Sequence, residues 1–312
     1  MSKTAFLFPG QGSQAVGMGK ALAETFAAAR AVFAEVDEAL GQSLSTLMFE
    51  GPEDQLTLTA NAQPALMAHS LAVIRVLETE KGLDLAKTAA FVAGHSLGEY
   101  SALAAAGALS IAETARLLRI RGDAMQAAVP VGQGAMAALL GAEWDLAQKI
   151  ADEAAEFGIC DVANDNGGGQ VVLSGDKAAI DKACEIAKAK GVKRAILLPV
   201  SAPFHSALMA PAASAMEAAL KTATIVAPNV PVVANVTAGP VSDPEAIRRN
   251  LVLQVCGSVR WRESMGWLGE QGVTRFVECG SGKVLTGIAK RLVAGSEASA
   301  IGTPEDVAAF PG

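Results

Sequence analysis

Cysteine is scarce in this 312-residue chain, and what there is does not cluster. Cys160, Cys184, Cys256 and Cys279 lie far apart with no C-x-x-C spacing, so buried free thiols in a reducing cytosol are the expected state and no metal site is expected. A basic excess is also missing. Lys and Arg number 25 against 32 Asp and Glu, a net charge of −7, which argues against nucleic acid or an anionic membrane surface as partner. No apolar run is long enough to leave the cytoplasm or to lodge in a bilayer. The run at 5–8 is too short for a signal peptide, and the uncharged stretches 195–215 and 222–242 carry several prolines and polar residues. Repeats and low-complexity linkers are absent as well. A cytoplasmic globular protein is expected.

Hydrophobic residues make up 51% of the chain, enough for a substantial core in one large α/β domain or two domains. The chain is organised around Gly94-His95-Ser96-Leu97-Gly98, which follows a short apolar run (89–93) and precedes an Ala/Leu-rich helical run. Strand, G-x-S-x-G, helix is the sequence form of a nucleophile elbow: small residues on either side of the serine allow a very tight turn that holds the hydroxyl out at the top of a sheet. The N–H of Leu97, at the start of the next helix, then points where an oxyanion would form. Upstream, residues 4–8 read as the first strand, and Pro9-Gly10-Gln11-Gly12-Ser13-Gln14 as the loop before a helix at about 18–29. Glycines on both sides of Gln11 permit backbone N–H groups to face an anion or oxyanion; an ordinary Gly-rich turn is the alternative.

Thr59-Ala60-Asn61 offers capping side chains for a helix with Pro64 in its first turn and Gln63 at its mouth. His69 falls on the apolar side of that helix, as a core histidine would. Ser110-Ile111-Ala112-Glu113 is a capping box opening a helix to about 128. Arg116, Arg119 and Asp123 mark its solvated face, whereas Arg121 has Leu117, Leu118, Ala124 and Met125 three and four places away. An arginine leaving an apolar face needs an anion, either a protein carboxylate or that of a ligand.

From about 131 to 198 the pattern becomes β-α-β-β-α-β: strand 135–140, helix 143–156, strand 159–163, a Gly-rich turn at 166–169, strand 170–174, helix 177–190 and strand 193–198. This is the ferredoxin-like order, so residues 131–198 are expected as a small domain inserted into a larger α/β-hydrolase-like one, formed by 1–130 and 199–312, with a binding cleft between the two. The larger domain resumes with a loop before a helix at 207–221, a strand at 231–235, helices at 244–254 and 262–271, a strand at 274–278 and an amphipathic helix to about 293. The tail after 303 reads as irregular.

A nucleophilic serine needs a base. His95 leaves the elbow in another direction and His69 is mid-helix, so His205, in a loop far downstream of the serine, is the best candidate. No Asp or Glu stands at an obvious position to orient its ring; a backbone carbonyl is the substitute.

Five motifs occur in order over nearly the whole chain: Gly10-Gln11-Gly12-Ser13-Gln14; Gly94-His95-Ser96-Leu97-Gly98-Glu99; Arg121 with Met125; Asn164 followed by Gln170-Val171-Val172-Leu173-Ser174-Gly175; and Pro203-Phe204-His205-Ser206. In these the chain resembles the malonyl-CoA:acyl carrier protein transacylases of the stand-alone type used in bacterial fatty acid synthesis. The resemblance implies that Ser96 is acylated, that His205 is general base and acid, and that the N–H groups of Gln11 and Leu97 form the oxyanion hole. It implies that a main-chain carbonyl, fitted by Gln254, orients the histidine, and that Arg121 holds the malonyl carboxylate. Gln63, Asn164 and Phe204 would join the substrate site, Phe204 matching the malonyl-selective form of its loop. Gly168, Gly169 and Ser281 depart from frequent prolines. The implied partners are malonyl-CoA and acyl carrier protein, the latter docking near Lys283, Lys290 and Arg291; no cofactor is implied, and a monomer is expected. The competing readings are a transacylase for another acyl group such as methylmalonyl, a serine thioesterase, and a non-catalytic scaffold.

Overall fold

The computed structural model describes residues 3–200 and 202–311. Among these, ten strands form: β1 (Lys3–Phe8), β2 (Ala89–Gly94), β3 (Gly134–Leu140), β4 (Cys160–Gly167), β5 (Gln170–Asp176), β6 (Arg194–Leu197), β7 (Val232–Ala234), β8 (Gly239–Val241), β9 (Val273–Cys279) and β10 (Glu297–Ile301). Six of them make one sheet in the order β10-β9-β1-β2-β7-β8, parallel except for the β7–β8 hairpin at one edge. From Ala5 to Phe8 the strand β1 is apolar at every position, because both of its faces are covered there. Phe6 and Phe8 enter the main core with Leu66, Leu103 and Leu118, while Ala5 and Leu7 meet Trp261, Met265 and Ile288 on the other side.

The remaining four strands form an antiparallel sheet in the order β4-β5-β3-β6. One face, with Ala137, Leu139, Val171 and Leu173, is packed by the helices Trp144–Ala154 and Lys177–Ala189 in a core of its own. The other face sends Met136, Ala138, Ala163 and Val172 into the main core. Backbone bonds also tie β4 to the segment that precedes the helix Trp261–Glu270: Asp165 N–H donates to Val259 O (3.0 Å) and Val259 N–H to Ala163 O (2.8 Å).

Several boundaries differ from the sequence reading. The helix expected at 18–29 is two, Lys20–Thr25 and Ala27–Leu40, because Phe26 takes an extended φ of −117° between them. The helix Thr59–Lys81 is capped by no side chain, its N-cap being Leu58, and Pro64 stands beyond the first turn. Strand β4 runs on through Gly167, which shortens the turn to Gly168 and Gly169. Strands β8 and β10 were not expected. The tail is not irregular: Thr303 and Asp306 form a capping box for the helix Pro304–Ala309. Of the free cysteines, Cys160 and Cys279 are buried, but Cys184 and Cys256 are half-buried.

One close approach positions the site. In the helix Ile111–Ala127, whose N-cap Ser110 accepts from Glu113 N–H, Gly122 lies so near the Thr59 helix that an added Cβ would be 2.6 Å from Ala60 Cα. Only glycine allows that contact, and it sets the neighbouring Arg121 beside Gln63.

Candidate active site

At the end of β2 the chain turns through Ser96 with φ 53°, a value an L-residue adopts only when its surroundings enforce it. A Cβ on Gly94 would stand 1.8 Å from Gly98 O, and one on Gly98 would stand 2.2 Å from Phe8 O, so both glycines are sterically required. Asn235, buried at the end of β7, closes the turn from outside: its Oδ1 accepts from Ser96 N–H (2.8 Å) and its Nδ2 donates to Gly94 O (2.7 Å).

His205 also has a positive φ, 56°. Its Nδ1 donates to Gln254 O (2.9 Å) and Gly257 O (3.1 Å), which fixes the tautomer and leaves the Nε2 lone pair for Ser96 Oγ, 2.7 Å away. Burial, reinforced by the nearby Arg121 cation, lowers the imidazole pKa to about 3 against the pull of the two carbonyls. The ring is therefore a neutral acceptor at physiological pH, the state a general base requires.

Arg121 is 1% exposed, yet no protein carboxylate among the described residues forms an ion pair with it. Its Nη1 donates to Gln63 Oε1 (2.7 Å), its Nη2 to Gln254 Oε1 (3.0 Å) and Ser96 Oγ (3.2 Å), and Nε is buried without a partner. The guanidinium carbon lies 5.8 Å from the centroid of the Tyr100 ring. A desolvated cation held by neutral oxygens beside a nucleophile is a receptor for an anionic group.

Ser96, His205, Arg121 and Gln63 line a cavity of about 510 Å³ that also reaches Gln11, Leu97, Met125, Asn164 and Phe204, with Gln254 behind Arg121. The N–H groups of Gln11 and Leu97 have no hydrogen-bond acceptor among the described residues, whereas that of Gly12 is taken by Gln14 Oε1 (2.8 Å). Each site residue expected from the sequence is thus at or beside this cavity, with Gln254 acting through its side chain as well as its carbonyl. His95 lines the cavity but is engaged with Asn166, its Nε2 donating to Oδ1 (2.9 Å), and His69 donates from Nε2 to Gly302 O (3.0 Å) in the core, where burial lowers its pKa to about 4. Lys283, Lys290 and Arg291 lie outside the cavity, exposed at the two ends of the helix Val284–Leu292, and Arg291 Nη2 reaches Gly167 O (3.4 Å). Arg119, expected on a solvated face, is half-buried against Asn61 and Gln42.

Sequence reasoning passed over Asn235, Glu99, Asn166 and the Gly257 carbonyl. Glu99 adjoins the elbow motif and is 2% exposed; its Oε2 accepts from Gln254 Nε2 (2.7 Å) and Asn235 N–H (3.0 Å), and burial raises its pKa to about 7. Its position on the first turn of an otherwise apolar helix, Gly98–Ala105, was the available signal. Among the described residues, no group of three or more His, Cys, Asp or Glu side chains is placed to hold a metal ion, and no helix is long and apolar enough to cross a membrane.

A parallel sheet delivering a serine at a strand end, a neutral histidine and a cation with no paired carboxylate to one cavity defines an acyl-transferring class of site. The chain belongs to the acyl transferase domain family, whose model matches residues 5–303. It is 47% identical to the malonyl CoA-acyl carrier protein transacylase of Bacillus subtilis (strain 168) over 98% of this chain and 96% of that protein. The crystal structure of an acyl-carrier-protein-S-malonyltransferase from Bartonella henselae superposes with a TM-score of 0.96 at 60% identity over 98% of both chains. A malonyl-transacylase solved in complex with its type II PKS acyl-carrier protein superposes with a TM-score of 0.94 at 42% identity, again over 98% of both.

Proposed function

We infer that this chain transfers the malonyl group from malonyl-CoA to the phosphopantetheine thiol of an acyl carrier protein through a malonyl ester on Ser96. In the first half reaction Ser96 Oγ attacks the thioester carbonyl as His205 Nε2 takes its proton. The N–H groups of Gln11 and Leu97 stabilise the oxyanion, the C–S bond breaks, and the coenzyme A thiolate leaves with the proton returned by His205. The carrier's thiol then gives its proton to His205 and attacks the ester, a second oxyanion forms in the same place, and Ser96 leaves as the free hydroxyl. No cofactor enters either step, and every group invoked comes from one copy of the chain, in keeping with action as a monomer.

Arg121 carries the substrate assignment. Its position 3.2 Å from Ser96 Oγ, with neutral partners only, suits the distal carboxylate of malonate and gives nothing to a neutral acyl group. Gln63, Asn164 and Phe204 complete the walls of the acyl site. The test is kcat/KM for malonyl-CoA and acetyl-CoA. Arg121→Ala should lower malonyl transfer by one to two orders of magnitude, the worth of about 1.5 to 3 kcal/mol for a charge-assisted hydrogen bond, while acetyl transfer holds or rises. Arg121→Lys should rescue malonyl transfer only in part, because an ammonium lacks the two-pronged geometry. Equal losses for both substrates would make Arg121 a structural residue.

The architecture is read as an α/β-hydrolase-like catalytic unit, 1–130 and 199–312, carrying a ferredoxin-like insertion at 131–198. In support, β4-β5-β3-β6 is the strand order of that motif and its helices close a separate core on one face. The carrier is assigned to the patch of Lys283, Lys290 and Arg291, where exposed cations on an otherwise acidic protein suit an acidic partner.

A further inference from the structure

Arg121 donates and never accepts, so each glutamine that holds it must turn its oxygen inward and find an acceptor for its amide N–H groups elsewhere. On one side Gln63 Nε2 donates to Thr59 Oγ1 (3.0 Å), and the Thr59 hydroxyl spends its own proton on Gln11 Oε1 (2.9 Å). On the other side Gln254 Nε2 donates to Glu99 Oε2 (2.7 Å) and Ser96 O (3.0 Å), and Glu99 Oε2 also takes the backbone N–H of Asn235. That fixed N–H obliges Oε2 to accept whether or not the carboxyl carries a proton on its other oxygen. Thr59 is fully buried and Glu99 nearly so, and neither lines the cavity that holds Ser96.

We propose that Thr59 and Glu99 are positioning residues for acyl selectivity: each fixes the polarity of one glutamine amide, so that Gln63 and Gln254 both present oxygen to Arg121 and hold its fork ready for a carboxylate. The inference rests on the reading that Arg121 binds the malonyl carboxylate. Both chains of hydrogen bonds run in one direction, and both end on the same guanidinium from opposite sides. Neutral amide oxygens orient the cation without cancelling its charge, which a carboxylate in their place would do. Loss of either anchor leaves a buried amide N–H unpaired, and the glutamine relieves this by rotating away from Arg121. An acetyl group would not register the change.

The experiment is the malonyl-to-acetyl ratio of kcat/KM, because a disturbance of Gln11 or Ser96 reaches both substrates and cancels. Thr59→Val, which keeps shape and removes the hydroxyl, and Glu99→Met should each lower the ratio about tenfold. Thr59→Ser and Glu99→Gln, which keep an acceptor in place, should restore most of it. In a Gln63→Leu background Thr59→Val should change the ratio no further. If Glu99→Met fails to fold, the Thr59 series decides alone. A wild-type ratio in Thr59→Val, or no rescue by Thr59→Ser, overturns the proposal. If the Arg121→Ala variant itself keeps the wild-type ratio, the underlying reading of Arg121 falls, and this proposal with it.

Discussion

Ser96 and His205 share a rare backbone conformation, φ 53° and 56°, and reach it by opposite means. The serine is forced into it locally, by two glycines that no larger residue can replace and a strand and helix on either side. The histidine has no such frame. It is held from afar, by the carbonyls of Gln254 and Gly257 some fifty residues on, and its loop is tied by Ala207 N–H to Asp161 Oδ2 (2.7 Å) on β4. Most of a nucleophile's geometry can thus be written into five residues, with Asn235 closing the turn from outside, while that of its base is a property of the assembled fold.

The comparison can be broken most severely at the elbow. Gly94→Ala drives a methyl into Gly98 O and should abolish acyl transfer along with a cooperative loss of stability, measured by denaturant unfolding and malonyl transfer together. An active, fully stable Gly94→Ala protein would mean that the turn is not locally enforced. Removing the base should do less. His205→Ala should slow both half reactions by about two to four orders of magnitude, the span of general acid-base groups, with little loss of stability; pre-steady-state release of coenzyme A reads the first step.

A pH series sharpens the contrast further, since burial holds His205 near 3 and His69 near 4, and lowers His95 as well. Each ring binds its proton in the unfolded chain from about pH 6.5 downward but refuses it in the folded one, so their contribution to stability is lost progressively as pH falls from there toward the folded values. Glu99, raised to about 7, has the opposite sign: the folded state keeps a proton that the unfolded chain releases, and its contribution is lost as pH rises from about 4.5 through 7. With three rings against two carboxyls, since burial raises Glu278 as well, stability should still decline below about pH 6, whereas kcat/KM measured before unfolding should show no inflection near 6.5. An inflection there that persists in Glu99→Gln would place His205 in a solvated setting, since Glu99 itself lies near 7. The smallest effect is expected far from both residues. Charge reversal at Lys290 should raise the KM for carrier protein severalfold at low salt and leave the first half reaction unchanged, a split visible in the salt dependence of each half reaction.

The same local-versus-assembled distinction decides what could be read from the chain. The elbow, the β-α-β-β-α-β order and the apolar setting of Arg121 are carried by spacing, and were legible. Asn235, Gly257 and Asn166 act through contacts made across long sequence separations, and nothing in their immediate neighbours marks them. Edge strands β8 and β10 are short and half-exposed, so no apolar run announces them. The tail helix was legible in principle, since Thr303, Pro304 and Asp306 form the expected start signal. The choice between a protein and a ligand carboxylate for Arg121 was open in the sequence, and the two glutamine oxygens that hold it could be seen only once the helices had met at Gly122.

The central claim, that Ser96 carries the malonyl group between two thiols, is tested most directly by intact mass after mixing the protein with malonyl-CoA alone. Wild type should gain one malonyl group, mapped to the peptide bearing Ser96 and discharged by adding carrier protein, and Ser96→Ala should gain none. A Ser96→Ala protein that still takes up malonyl, or a wild-type adduct on another residue, would contradict the account.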